Sequence, residues 1–183
     1  MINEGMPDPE TERLESPLRV EDVRLLPGVS QALRLLADAG YALVCVTNQP
    51  AAAKGKISLA ALRAIHERVL ELLAREDVML DATRLCPHHP HGVVSELSGP
   101  CTCRKPAPGM LLDAARALRL DRERSWMLGD TDADMLAGTS AGCRAGLIEY
   151  PGSAHKRSKD ATPSLRANDL PDAVAQLLTE DRY

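Results

Sequence analysis

Apolar positions along the chain follow two spacings, one helical and one continuous. Residues 29–39 put Leu33, Leu35 and Leu36 on or near one helical face, and Gly40 suits the C-terminal cap. Residues 41–46, Tyr-Ala-Leu-Val-Cys-Val, form an unbroken apolar run. Such runs fit a strand covered on both faces, as in parallel sheets. Thr47, Asn48 and Gln49 then fall at its C-terminal end. Ser58 has the chemistry of an N-cap for a helix through Ala74, with apolar positions at Leu62, Ile65, Val69 and Leu72 or Leu73. Residues 83–86 predict a short strand. Pro108 opens a helix that runs to about Leu118. Residues 125–128 predict a strand ending in Gly129-Asp130, residues 132–141 a helix closed by Gly142, and residues 145–148 another strand. Residues 170–178 complete the pattern with an amphipathic helix that has Pro171 in its first turn.

Helix and strand in alternation predict an α/β layered fold on a parallel sheet. The polar, Pro- and Glu-rich residues 1–20 read as an irregular N-terminal arm, and residues 21–183 as one domain. Phe is absent and there is one Trp, so the core must be built from Leu, Ala, Val and Met. A net charge of −4 offers no general attraction to nucleic acid or anionic membrane. No apolar run approaches the roughly 20 residues of a membrane helix. Residues 1–15 are acidic and lack the apolar core of a secretory signal. Five cysteines, an odd number, fit a reducing cytoplasmic setting, with Cys45 and Cys143 expected as buried free thiols. The expected state is a monomer acting on a small molecule.

The densest chemistry lies in residues 86–106. Cys86 and His88 form one close pair, and Cys101 and Cys103 form another. The loop between them carries Gly92, Gly99 and Pro100 and can fold back on a metal. Three thiolates and one imidazole are a common closed set for structural Zn²⁺, and two tight pairs favour a metal over unligated loop thiols. His89 and His91 are expected outside that set. Ligands of open α/β sheets bind at strand C-termini. Thr47 and Asn48 follow one strand there, and Asp130, with Asp132 and Asp134 behind it, follows another. Arg104 and Lys105 leave the metal loop toward the same edge. A hydroxyl, cations and carboxylates are the parts needed to hold a phosphate and Mg²⁺. Residues 151–163, with His155, Lys156, Arg157 and Lys159, read either as a solvated loop or as the rim of an anion site.

The order of these motifs resembles the haloacid dehalogenase (HAD) superfamily, in its zinc-containing phosphatase branch acting on heptose bisphosphate or histidinol phosphate. The matches are Val46-Thr47-Asn48-Gln49, Cys86-Pro87-His88-His89-Pro90, Cys101-Thr102-Cys103-Arg104-Lys105-Pro106, Pro108-Gly109-Met110-Leu111 and Gly129-Asp130 followed by Asp134. The resemblance implies a Rossmannoid three-layer α/β/α domain with a small zinc loop over residues 86–105. It implies that Thr47 hydrogen-bonds the phosphoryl group and Lys105 neutralises it, that Asp130 binds Mg²⁺, and that Asp134 orients the metal or the lysine. Asn48 and Arg104 would contact substrate. Lys54 and Lys56 would sit in a substrate-capping loop. The substrate would be a small sugar bisphosphate. The alternatives are histidinol phosphate or another small phosphate, or a non-catalytic protein that binds phosphometabolites or a partner.

Two departures stand out. The family's nucleophile is the first Asp of an Asp-x-Asp-Gly motif on a central strand, and no such motif occurs here. Asp8 and Asp22 follow no apolar strand. Met1-Ile2-Asn3 aligns just after that motif, so the expectation is a misplaced start or a truncation, with a true degenerate member as the alternative, an inactive chain, and an architecture with a gap, a closure or a substitute at the vacant strand. Thr131 stands where heptose bisphosphate phosphatases tend to carry lysine.

Overall fold

The structure, a computed structural model, describes residues 2–8, 12–158 and 161–180. Its elements run β1 (Met6–Pro7), β2 (Leu14–Glu15), α1 (Val29–Asp38), β3 (Val44–Asn48), α2 (Leu59–Ala74), β4 (Ala82–Cys86), α3 (Gly109–Leu118), β5 (Trp126–Gly129), α4 (Asp132–Ala141), β6 (Arg144–Ile148), β7 (Leu165–Ala167) and α5 (Leu170–Glu180). Local chemistry explains the boundaries. The Ser58 hydroxyl accepts from the Ala61 amide and starts α2. Thr131 and Asp134 form a reciprocal capping box on α4, and Gly142, at φ 83°, ends it.

Three expectations shift. In α1, Leu33 and Leu36 are buried but Leu35 is 48% exposed, because two residues along a helix turn it away from Leu33. Strand β3 starts at Val44, since residues 41–43 turn off α1, where the Tyr41 amide bonds the Leu36 carbonyl. Thr47 and Asn48 consequently lie inside the strand, opposite Leu85 and Cys86. Among its described residues the arm carries the antiparallel pairing of β1 with β2 and a bridge from Asn3 to Leu25.

The layers follow from β6. Ala145 and Leu147 pack with Met135 of α4 on one face. Ile148 joins the larger cluster built by α1, α5 and the end of α2, with Leu33, Leu36, Leu73, Val174 and Leu177. Alternate residues of one strand therefore meet helices on both sides, which makes three layers.

The strands do not form one ladder. β3 pairs β4 in parallel, and β5–β6–β7 form a separate parallel sheet. Of the outcomes expected at the vacant central strand, the structure shows the gap. A cavity of about 680 Å³ lies there, lined by Val44 and Val46 on one side and Trp126 and Leu128 on the other. Cys45 borders this cavity, so it is half-buried rather than buried. Cys143 is likewise half-buried, correcting that expectation. No helix among the described residues is long and apolar enough to cross a membrane.

Candidate active site

Lys105 is the hinge of the site. Its ammonium donates to the Val46 carbonyl at 2.7 Å and meets Asp134 Oδ1 at 2.8 Å. Val46 belongs to β3 and Asp134 to the helix that follows β5. One cation therefore gathers the C-terminal ends of two strands that share no ladder. Both side chains of the pair are deeply buried, at 10% and 7% exposure. Burial alone would raise the Asp134 carboxyl. The Lys105 ammonium and the Thr131 donors outweigh it and hold the group below the usual carboxylate range. Asp134 Oδ2 also accepts from the Asp130 amide at 3.1 Å, the Thr131 amide at 3.0 Å and the Thr131 hydroxyl at 2.7 Å. Thr131 is thus spent on capping α4. Gly129 is required by the same packing, because a Cβ there would lie 2.2 Å from Asp134 Cβ.

The structure brings Thr47, Asn48, Lys54, Arg104, Lys105, Asp130 and Asp134 to the walls of the one cavity. The Thr47 hydroxyl accepts from Gln49 Nε2 at 3.1 Å and keeps its own proton to donate. Asn48, expected as a substrate contact, lines the cavity and also has a structural part. Its Nδ2 donates to the Lys105 carbonyl and its Oδ1 accepts the Lys105 amide, both at 3.0 Å. It is a clamp that fixes where the lysine's backbone sits. Arg104 donates to the His88 carbonyl at 3.0 Å and so braces the metal loop while still lining the cavity. Lys56 does not reach the cavity and pairs with Asp8 of the arm at 2.8 Å.

Sequence reasoning missed Ser153 and the part that Arg157 plays. The buried Ser153 hydroxyl donates to the Asp130 carbonyl at 3.0 Å, and Arg157 Nη1 reaches the same carbonyl at 3.3 Å and the Tyr150 carbonyl at 3.0 Å. Both come from the 3₁₀ turn Pro151–Lys156 and its exit, inside the basic stretch read only by its charge. Lys156 pairs with Glu15 of the arm, and Lys159 lies outside the described residues.

The second cluster lies just upstream of Lys105. Cys86, His88, Cys101 and Cys103 place one ligand atom each within 4.8 Å of one another. The sulfur–sulfur separations are 3.1, 3.4 and 3.8 Å, and His88 Nδ1 lies 3.6 Å from Cys86 and 3.4 Å from Cys103. A tetrahedron with bonds of about 2.3 Å to sulfur and 2.0–2.1 Å to nitrogen has edges of about 3.8 and 3.6 Å. The donor set and spacing fit Zn²⁺. Burial, then crowding by Cys86 and Cys101, pushes the Cys103 thiol up to about 12. A dication among the sulfurs reverses that cost. His89 instead accepts the His91 amide on its Nδ1, outside the cluster.

The fold and the lysine–carboxylate hinge define a class before they define a family. A profile described as HAD-hydrolase-like matches residues 102–180, the part that carries Lys105, Asp130 and Asp134. The chain is 43% identical over 158 residues to the D-glycero-beta-D-manno-heptose-1,7-bisphosphate 7-phosphatase of Escherichia coli (strain K12), covering 85% of this chain and 83% of that one. A crystal structure of D,D-heptose 1,7-bisphosphate phosphatase from B. bronchiseptica, complexed with magnesium and phosphate, superposes with a TM-score of 0.74 at 31% identity, covering 91% and 92% of the two chains. A HAD-like phosphatase structure from Mesorhizobium loti gives 0.75 at 34% identity, covering 89% and 78%. The chain belongs to the heptose bisphosphate phosphatase family of HAD-like hydrolases.

Proposed function

We propose that this site serves Mg²⁺-dependent hydrolysis of a phosphomonoester on a small sugar bisphosphate, with D-glycero-D-manno-heptose 1,7-bisphosphate as the first candidate. The carrying observation is the Lys105 ammonium, held between Val46 and Asp134 beside Thr47 and Asp130. The named activity of the E. coli relative supports the same substrate class.

In this reading Lys105 offsets charge on the phosphoryl oxygens, and the Thr47 hydroxyl donates a hydrogen bond to one of them. Asn48 and Asp134 position the lysine. Asp130 is a hard-oxygen ligand suited to Mg²⁺, which typically binds one or two carboxylates plus substrate phosphate. Bound there, the metal would stabilise charge developing on the transferring group. Ser153 and Arg157 hold the Asp130 backbone in place. Zn²⁺ on Cys86, His88, Cys101 and Cys103 is structural, since four protein ligands close its shell.

Attack on phosphorus requires a carboxylate that the 183 residues do not place in an Asp-x-Asp-Gly motif. That observation favours one second reading, a protein that binds phosphometabolites without turning them over. The test is phosphate release from sugar bisphosphates, histidinol phosphate and aryl phosphates. The 183-residue chain should show little or none. The same chain preceded by an apolar strand ending in Asp-x-Asp-Gly should hydrolyse sugar bisphosphate, and Lys105→Ala or Asp130→Asn should remove most of that rate. Turnover by the 183-residue chain would mean that another group attacks. Inactivity of the extended protein on the whole panel would favour the binding reading.

A further inference from the structure

The loop that carries Lys54 is held from outside itself. Residues 50–56 fold as one tight turn, in which the Lys54, Lys56 and Gly55 amides take the Pro50, Ala51 and Ala52 carbonyls at 2.9, 2.9 and 3.0 Å. The next carbonyl, on Ala53, leaves the turn. It accepts the Val93 amide at 2.7 Å and the Val94 amide at 3.1 Å, both from the loop between the two ligand pairs. Ala53 is fully buried, so its carbonyl would be costly without those donors. Lys54, the next residue, is exposed and lines the cavity.

The donor segment leads back to the thiol–imidazole cluster. The Val94 carbonyl accepts the Leu97 amide at 3.0 Å and the Ser98 hydroxyl at 2.6 Å, and the Leu97 carbonyl accepts the His89 amide at 3.0 Å. His89 adjoins the ligand His88. Gly92 sits where these parts meet, because a Cβ there would lie 2.6 Å from Ser98 Oγ and 2.9 Å from the Ala53 oxygen. Cys86 and His88 precede the segment and Cys101 and Cys103 follow it, so one ion would fix both of its ends. Val93 is 77% exposed, so it brings its amide to the contact rather than core packing.

We infer that the zinc loop is the support of the substrate-capping loop. The Val93 and Val94 amides hold the Ala53 carbonyl, and metal loading of the cluster thereby sets where Lys54 stands at the cavity. Val93 acts through Lys54 and is a positioning residue. The use of Lys54 as a substrate contact rests on the proposed function; the support itself does not, because it is read from the loop alone.

Hydrogen exchange of the full chain, followed by mass spectrometry, tests this in peptides spanning residues 50–58. Removing zinc with a chelator should speed exchange there about three- to tenfold, the effect of one hydrogen bond lost from a local opening equilibrium, while β6 and α5 stay protected. Val93→Pro deletes the donor of the shorter bond and should do the same with zinc still bound. Val93→Ala keeps the amide and should leave exchange unchanged. In the strand-extended phosphatase, Val93→Pro should raise KM for sugar bisphosphate several-fold and leave kcat near the parent value, since Lys105 and Asp130 are untouched. Unchanged exchange at 50–58 after zinc removal, an equal rise in β6 and α5, identical behaviour of the proline and alanine variants, or a fall in kcat with KM unchanged would overturn the support. The chelated parent decides if Val93→Pro folds poorly. Exchange needs no turnover, so its outcome is separate from that of the phosphatase reading.

Discussion

Replacing Lys105 by alanine should destabilise the protein in a way that depends on pH. The change removes one of the four donors on Asp134 and the donor on the Val46 carbonyl. Removing one partner of a buried ion pair typically costs about 3–5 kcal/mol. Three remaining donors soften the loss, which places the expected cost near the lower end, about 3 kcal/mol at pH 7. At about 2–4 °C per kcal/mol for a chain of this size, the midpoint should fall by roughly 6–12 °C. The sign with pH follows from the carboxyl. In the parent, Asp134 is depressed, so its contribution is full above the unfolded value near 4 and fades only as pH falls through the folded value. In the variant the cation is gone and burial dominates, so the carboxyl rises and the folded state accepts a proton more readily. The gap between parent and variant should therefore narrow as pH drops from 7 to 4.5. Melts followed by circular dichroism at both pH values measure this. An equal gap at both would show that the cost is not an unpaired Asp134 charge, and a gap under 1 kcal/mol at pH 7 would refute the pair as a structural element.

Two further predictions concern the cluster and the strand end. Metal analysis of protein purified without chelator should find about one zinc per chain, and Cys101→Ser should lower both that figure and the thermal midpoint; a full complement in the variant would reject the ligand set. Gly129→Ala should lower soluble yield and the midpoint sharply, because its Cβ would stand 2.2 Å from Asp134 Cβ and 2.5 Å from its Cγ. Unchanged melting would mean that β5 can shift away from α4.

The legible parts of the chain are those where local chemistry decides. Ser58 capped α2, and Gly142 closed α4, because caps and periodic apolar positions act within a few residues. The thiol–imidazole cluster was readable because its four ligands sit in two tight pairs. Strand β7 was not, since Leu165–Ala167 is too short to show a period and exists only by pairing with β6. The clamp that Asn48 makes on Lys105 was not legible, because that contact spans 57 residues. Ser153 and Arg157 were hidden for the same reason, since the Asp130 carbonyl they hold carries no sequence signal. The cavity followed from a missing motif rather than from any residue present.

The segment from Cys101 to Lys105 is tied down twice. Cys103 lies 3.1 Å from Cys86, and Arg104 donates to the His88 carbonyl. One residue farther along, Lys105 is held on both its amide and its carbonyl by Asn48. The thiol cluster thus works as a jig that holds the backbone leading into the lysine. A disulfide between Cys86 and Cys103 would draw the sulfurs about 1 Å closer, to near 2.05 Å, and tilt that jig. Oxidation of the cluster by a two-electron oxidant would then reach Lys105 as misalignment.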